Sequence, residues 1–141
     1  MERHPAGTRV ARTAWLYGAG GSNFVDTMLR LGAERDELAV VDDQEGCPTW
    51  TRDLADALER LLMHPPGVYH TAGAGSVTWA GFAEAVFEEA GLPCRVRRIT
   101  TEELGRPAPR PARSSLAVTR FGAPRLRPWR EALRDYLAAR S

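Results

Sequence analysis

Apolar residues recur along this chain at two periods, and the alternation of those periods predicts a series of strands and helices. Residues 8–16 mix Val10, Thr13 and Trp15 with arginines and read as a strand running into the glycine loop Gly18–Gly21. A helix follows through about Arg35, capped by Ser22 or Asn23, with Phe24, Met28 and Leu31 on one face. Gly32 weakens its last turn. Residues 37–41 (ELAVV) form a short strand, and the run DDQEGCPT after it is a polar loop turned by Gly46 and Pro48. Thr51 is placed to cap a second helix, whose apolar stripe is Leu54, Leu58, Leu61 and Leu62. His64-Pro65-Pro66-Gly67 ends that helix, and residues 68–72 read as a third strand. Thr78 caps a third helix, with Trp79, Phe82, Ala83, Val86, Phe87 and Ala90 in helical register, and Gly91 and Pro93 stop it. Residues 95–99 are a fourth strand, TTEELG one helical turn, and the Pro- and Arg-rich stretch 106–115 an ordered crossing loop. Pro128 suits the first position of a last helix, with Trp129, Leu133, Tyr136 and Leu137 on one side.

The order is βαβαβαβ with a terminal helix and no internal repeat. Strands alternating with helices predict an α/β layer structure with at least part of a parallel sheet. A whole doubly wound nucleotide-binding fold needs about six strands; the pattern supplies fewer.

Composition narrows the function. With 43% hydrophobic and 26% charged residues in 141 positions, the chain suits one globular domain. A formal net charge of +1 gives no field toward nucleic acid or acidic membranes. Every basic side chain other than the three histidines is arginine, so a mechanism that needs a lysine is excluded within this chain. Cys47 and Cys94 lack the paired spacing of a zinc site, and the histidines are scattered. Free cysteines fit a reducing cytosol, and the cytoplasm is the expected compartment. No apolar run approaches the ~18 residues of a membrane span, and the first residues lack a signal core.

Candidate chemistry is sparse. Gly18, Gly20 and Gly21 stand between a strand and a helix, where a dinucleotide loop would lie, but G-x-G-x-x-G from Gly18 requires glycine where Asn23 stands. Gly73 and Gly75 fail the same test. Asp42 and Asp43 end a strand, as α/β ligand residues do, and a solvated turn explains them equally. No G-x-S-x-G elbow supports a hydrolytic triad, and His70 reads as a strand residue. Trp15 and Tyr17 at a strand end could stack on a base or sugar, or be core. Trp79, Phe82 and Phe87, at helical spacing, read as core.

The order of short motifs carries more. Arg12-Thr13-Ala14-Trp15-Leu16-Tyr17-Gly18 resembles R-T-S-W-[VL]-Y-G, and Asn23-Phe24-Val25 with Thr27-Met28-Leu29 resembles N-F-V-x-T-M-L. Val41–Thr49 resembles V-x-D-Q-x-G-x-P-T, and Gly67–His70 resembles G-[IV]-Y-H. Thr78-Trp79 with Phe82-Ala83 resembles T-[ST]-W-x-x-F-A, and Arg110-Pro111-Ala112, then Ser115 and Leu116, resemble R-P-x-x-S-x-L. In this order, across about residues 9–137, they resemble the dTDP-4-dehydrorhamnose reductases, an extended branch of the short-chain dehydrogenases. The resemblance implies the C-terminal part of a doubly wound, Rossmann-like NAD(P)-binding fold with its small sugar-nucleotide-binding subdomain. It implies that residues 1–141 are a single partial domain lacking the N-terminal dinucleotide-binding half. The family reduces the C4 ketone of dTDP-4-dehydro-L-rhamnose with NADPH or NADH, using a Y-x-x-x-K pair that this lysine-free chain cannot contain.

Residue by residue, the resemblance makes Trp15 a substrate contact and places Asn23 near the sugar nucleotide. Gln44, Pro48 and Thr49 belong to the loop shaping the substrate pocket, and Arg113 stands where a cation could meet a diphosphate. Ala14 replaces a usual serine. The expected ligand is a dTDP-sugar, with no cofactor, metal or catalytic residue in this chain alone. Expected partners are an N-terminal chain or a second copy. The readings in play are an inactive reductase fragment, a non-catalytic binding or regulatory module, one half of a split reductase, and a related epimerase or dehydratase.

Overall fold

A computed structural model describes residues 7–140 except 106 and 109. In chain order the elements are β1 (Arg9–Arg12), β2 (Leu16–Tyr17), α1 (Phe24–Glu34), β3 (Glu37–Val41), β4 (Glu45–Gly46), β5 (Thr49–Trp50) and α2 (Thr51–Leu61). They continue with β6 (Gly67–His70), β7 (Val77–Thr78), α3 (Trp79–Ala90), β8 (Arg95–Ile99), α4 (Thr101–Leu104) and α5 (Trp129–Ala138). Among the described residues the strands pair in four ladders. β1–β6, β2–β5 and β3–β8 are parallel, and β4–β7 is antiparallel. The parallel α/β layering expected from the pattern is present, but the strand expected over 8–16 breaks in two. The break is at Trp15, whose φ of 46° lies in the left-handed region that L residues avoid.

Helix α1 is capped by Asn23, whose side chain accepts from the Asp26 N–H at 3.0 Å. Gly32, read as a weakness, is a contact: a Cβ there would stand 2.6 Å from the Phe87 ring, so the missing side chain lets α1 pack on α3. Thr78 caps α3 and Gly91 closes it at φ 65°, as the pattern requires. The turn after β8 is α4, held by a reciprocal capping box between Thr100 and Glu103. Two caps differ from expectation. Trp50, not Thr51, precedes α2, and Thr51 instead presses its Oγ1 on Gly18, where a Cβ would lie 2.0 Å away. Pro128 is the cap of α5 rather than its first residue.

The main core lies between α1, α3, α5 and the β3–β8 pair, with Val25, Phe82, Val86, Phe87 and Leu133 at its centre. The run 42–49, expected to be a polar loop, contributes β4 and the start of β5, and Gly46 to Trp50 are all buried. Its backbone is satisfied by distant strands, a pairing that local composition does not signal.

Candidate functional site

The loop after β3 is where the fold gathers its polar groups. Asp42 accepts from the Thr78 hydroxyl at 2.6 Å and from Arg98 at 2.9 Å, tying β3 to the start of α3 and to β8. Asp43 accepts from the Thr101 backbone N–H and hydroxyl, which hold its carboxyl below the usual carboxylate range. Gln44, 9% exposed, donates to the Thr101 Oγ1 at 2.8 Å. Thr49, fully buried, accepts from the Gly73 N–H at 3.0 Å and donates to the Cys47 carbonyl at 3.1 Å. Pro48 is buried beside it, and its carbonyl is so close to Gly73 that a Cβ there would lie 2.1 Å away. Pro48 and Thr49 thus lock the loop to the segment after β6.

Trp15 is held on every side. Its indole stacks on Trp79 with centroids 3.5 Å apart and planes 4° apart. A Cβ on Gly46 would lie 2.2 Å from Trp15 Cε2 and 2.4 Å from Nε1, so the missing side chain of Gly46 makes room for the indole. The indole N–H donates to the Ser114 Oγ at 3.2 Å, and Ser114 is bonded through its N–H and its hydroxyl to the Glu45 carbonyl. Face-to-face sandwiching is not the arrangement that ring quadrupoles favour. This stack, and the left-handed φ, are imposed by the surroundings. Trp15, the 44–49 loop and the crossing loop are therefore brought together as one unit. The serine at the R-P-x-x-S spacing is Ser114; Ser115, paired with the motif from sequence, is exposed.

Beside this unit opens a cleft of about 470 Å³. Helix α1 supplies Phe24, Met28 and Leu31, β3 supplies Val40 and Val41, and Leu104 closes the far side. Thr27, Gln44 and Arg110 are its polar members. Trp79 is the cleft's second aromatic wall, with Phe24 4.5 Å from it. Among the described residues Arg110 has no ion pair. Arg113 is exposed, and its backbone bridges to Glu45. Sequence reasoning placed a cation role on Arg113 and read Trp79 as core; Trp79 does pack against the main core and also lines the cleft. The motif containing Arg110 was visible, but only the fold aims it at the cleft.

The glycine loop does not fit a dinucleotide. Asn23 donates to the carbonyls of Gly18 (3.0 Å) and Gly21 (3.3 Å), and its Oδ1 fills the N-terminus of α1, where a pyrophosphate would bind. Asn23 is thus a closing residue of this loop, and its polar atoms are in use. No group of three or more His, Cys, Asp or Glu among the described residues could hold a metal. No helix among them is long and apolar enough to cross a membrane.

The unit is thus an α/β layer structure with an aromatic cleft, an arginine in the cleft lining and a glycine loop closed by Asn23. The chain belongs to the RmlD substrate binding domain family, whose model matches residues 2–141. It is 51% identical over 134 residues to the spore coat polysaccharide biosynthesis protein SpsK of Bacillus subtilis, covering 94% of this chain and 47% of that protein. It is 47% identical to a dTDP-4-dehydrorhamnose reductase of Streptomyces griseus, covering 92% of this chain and 46% of that enzyme. The crystal structure of dTDP-4-dehydrorhamnose reductase from Bacillus anthracis, in complex with NADP, superposes with a TM-score of 0.88 at 36% identity. That match covers 96% of this chain and 49% of the reductase. The chain spans about half the length of the curated relatives it matches, and it corresponds to the C-terminal half of Rossmann-like NAD(P)-binding reductases.

Proposed function

We propose that this chain is the sugar-nucleotide-binding half of a dTDP-4-dehydrorhamnose reductase, and that its own residues bind and orient the substrate without carrying out the reduction. The cleft between α1, β3 and Trp79 carries the reading. Phe24 and Trp79 offer flat apolar walls to a nucleobase, Gln44 offers an amide, and Arg110 with Arg113 offers guanidinium groups to a diphosphate. Trp15, stacked on Trp79 and packed by Gly46, backs the aromatic wall of the cleft. Pro48 and Thr49 hold the wall, and Asn23 holds the turn before Phe24. NADPH or NADH, with the tyrosine–lysine pair, belongs to the other half of the relatives' length. The same lysine-free composition favours a second reading, a non-catalytic binding or regulatory module or one half of a split reductase. Either reading places the chain in the cytoplasm.

Titration of the chain with dTDP, followed by tryptophan fluorescence, tests this. A saturable change is expected, with Arg110→Ala weakening binding about tenfold, the size of a lost charge-assisted contact. The absence of any saturable change up to millimolar dTDP would overturn it.

A further inference from the structure

The cleft holds one side chain whose orientation is dictated by its neighbours. Gln44, the chain's one glutamine, is 9% exposed and lines the cleft. Its backbone carbonyl accepts from the Trp79 N–H at 3.3 Å, which fixes it beside the aromatic wall. Its side chain is set by a relay. Asp43, whose carboxyl titrates below the usual range, is ionised and can only accept. It takes the Thr101 hydroxyl proton at 2.6 Å, and the Thr101 backbone N–H donates to the same carboxylate at 2.9 Å. With its proton committed, the Thr101 Oγ1 can only accept from Gln44. The amide atom 2.8 Å away is therefore Nε2 and not Oε1. Among the described residues no group donates to Oε1.

We propose that this relay makes Gln44 a specificity residue: its amide, locked against turning over, selects a nucleobase with a ring N–H, as in thymine or uracil, over one with a bare ring nitrogen there, as in cytosine. This rests on the reading of the cleft as a nucleotide site. It goes beyond that reading by naming the atom that tells bases apart and the residue that keeps it turned. The locked amide offers Oε1 as an acceptor and one remaining N–H, each at a fixed place. Thr27, the hydroxyl in the lining, donates its proton to the Asn23 carbonyl at 2.8 Å, so its oxygen also can only accept. A ring N–H beside a carbonyl complements that order. Cytosine carries the reverse order, and a free amide would serve it by turning over. A locked amide leaves acceptor facing acceptor, with the cost of a buried polar group unpaired. Thr101 does not line the cleft, so it is a positioning residue that acts through Gln44.

The test titrates the chain with dTDP, dUDP and dCDP, followed by tryptophan fluorescence, and repeats this with Thr101→Val and Thr101→Ser. The unmutated chain is expected to bind dTDP and dUDP within about fivefold of each other, the size of one buried methyl. It is expected to bind dCDP at least about tenfold more weakly than dTDP. Thr101→Val frees the amide, and the preference for dTDP over dCDP is expected to fall below about threefold. Thr101→Ser keeps the hydroxyl and is expected to keep the preference. The preference is a ratio within one variant, so a general loosening that weakens both nucleotides does not imitate its loss. The Gln44 side-chain amide gives an independent reading, because Gln44 and Asn23 are the chain's only carboxamides. Its protons are expected to exchange at least about tenfold more slowly in the unmutated chain than in Thr101→Val. Equal affinity for dTDP and dCDP would overturn the lock and leave the nucleotide reading standing. A Thr101→Val chain that keeps the full preference or the slow amide would overturn the lock as well. No binding of any of the three nucleotides would overturn both.

Discussion

The two longer parallel pairs of this molecule are finished to different degrees. β3–β8 lies against α3 and shares a large core in which Leu38, Val40, Phe82, Val86 and Phe87 are all buried. Its flanks carry Glu37 within 3.8 Å of both Arg95 and Arg97, the kind of charge that discourages further strand pairing. β1–β6 shares a smaller cluster in which Leu61, Tyr69 and Ala123 are buried, and among the described residues β1 pairs with β6 alone. The finished pair carries the cleft. A binding site needs walls that do not move, and the first pair has the packing to supply them.

Core truncations sharpen this contrast most. Phe82→Ala is expected to cost about 3–5 kcal/mol and Leu61→Ala nearer 2 kcal/mol in urea unfolding, because the smaller cluster has less to lose. Equal costs would break the comparison. Gly46→Ala must push the Trp15 indole off its stack, at about 1–3 kcal/mol, with loss of the near-UV tryptophan signal. An unchanged signal would show that Gly46 does not wall the indole. Ser114→Ala removes the hydroxyl's two hydrogen bonds, from the Trp15 indole N–H and to the Glu45 carbonyl, and should cost about 1–3 kcal/mol while leaving the β1–β6 amides untouched.

The smallest effect expected is one of pH. Asp43 has its carboxyl lowered by the Thr101 hydroxyl and backbone N–H. Its tie to α4 is therefore fully present above the ordinary Asp pKa and is lost as pH falls through the lowered folded value. The Thr101 amide shift should report that midpoint below the ordinary Asp range, and a midpoint within or above it would contradict the tie.

Helices α1 and α3 were legible in the sequence because their apolar spacing and their caps, Asn23 and Thr78, are local signals. The strand break at Trp15 was not, because it is imposed by Trp79, Gly46 and Ser114, 31 to 99 positions away. The burial of residues 46–50 was hidden for the same reason: a DDQEGCPT composition looks solvated until distant strands pair with it. Trp79 illustrates the limit of periodicity. It falls in register with the core residues of α3, yet it starts the helix, and the first turn is where the wall turns from core to cleft. The motif order carried the family but not the placing of Arg110 in the cleft lining.

Hydrogen exchange with and without saturating dTDP tests the central claim most directly. The account predicts protection centred on α1 from Phe24 to Leu31, residues 41–46, the start of α3, Leu104 and the 110–114 stretch, with β1, β6 and Gly18–Gly21 unchanged. Protection centred on the glycine loop or on the β1–β6 pair, with the cleft silent, would contradict it.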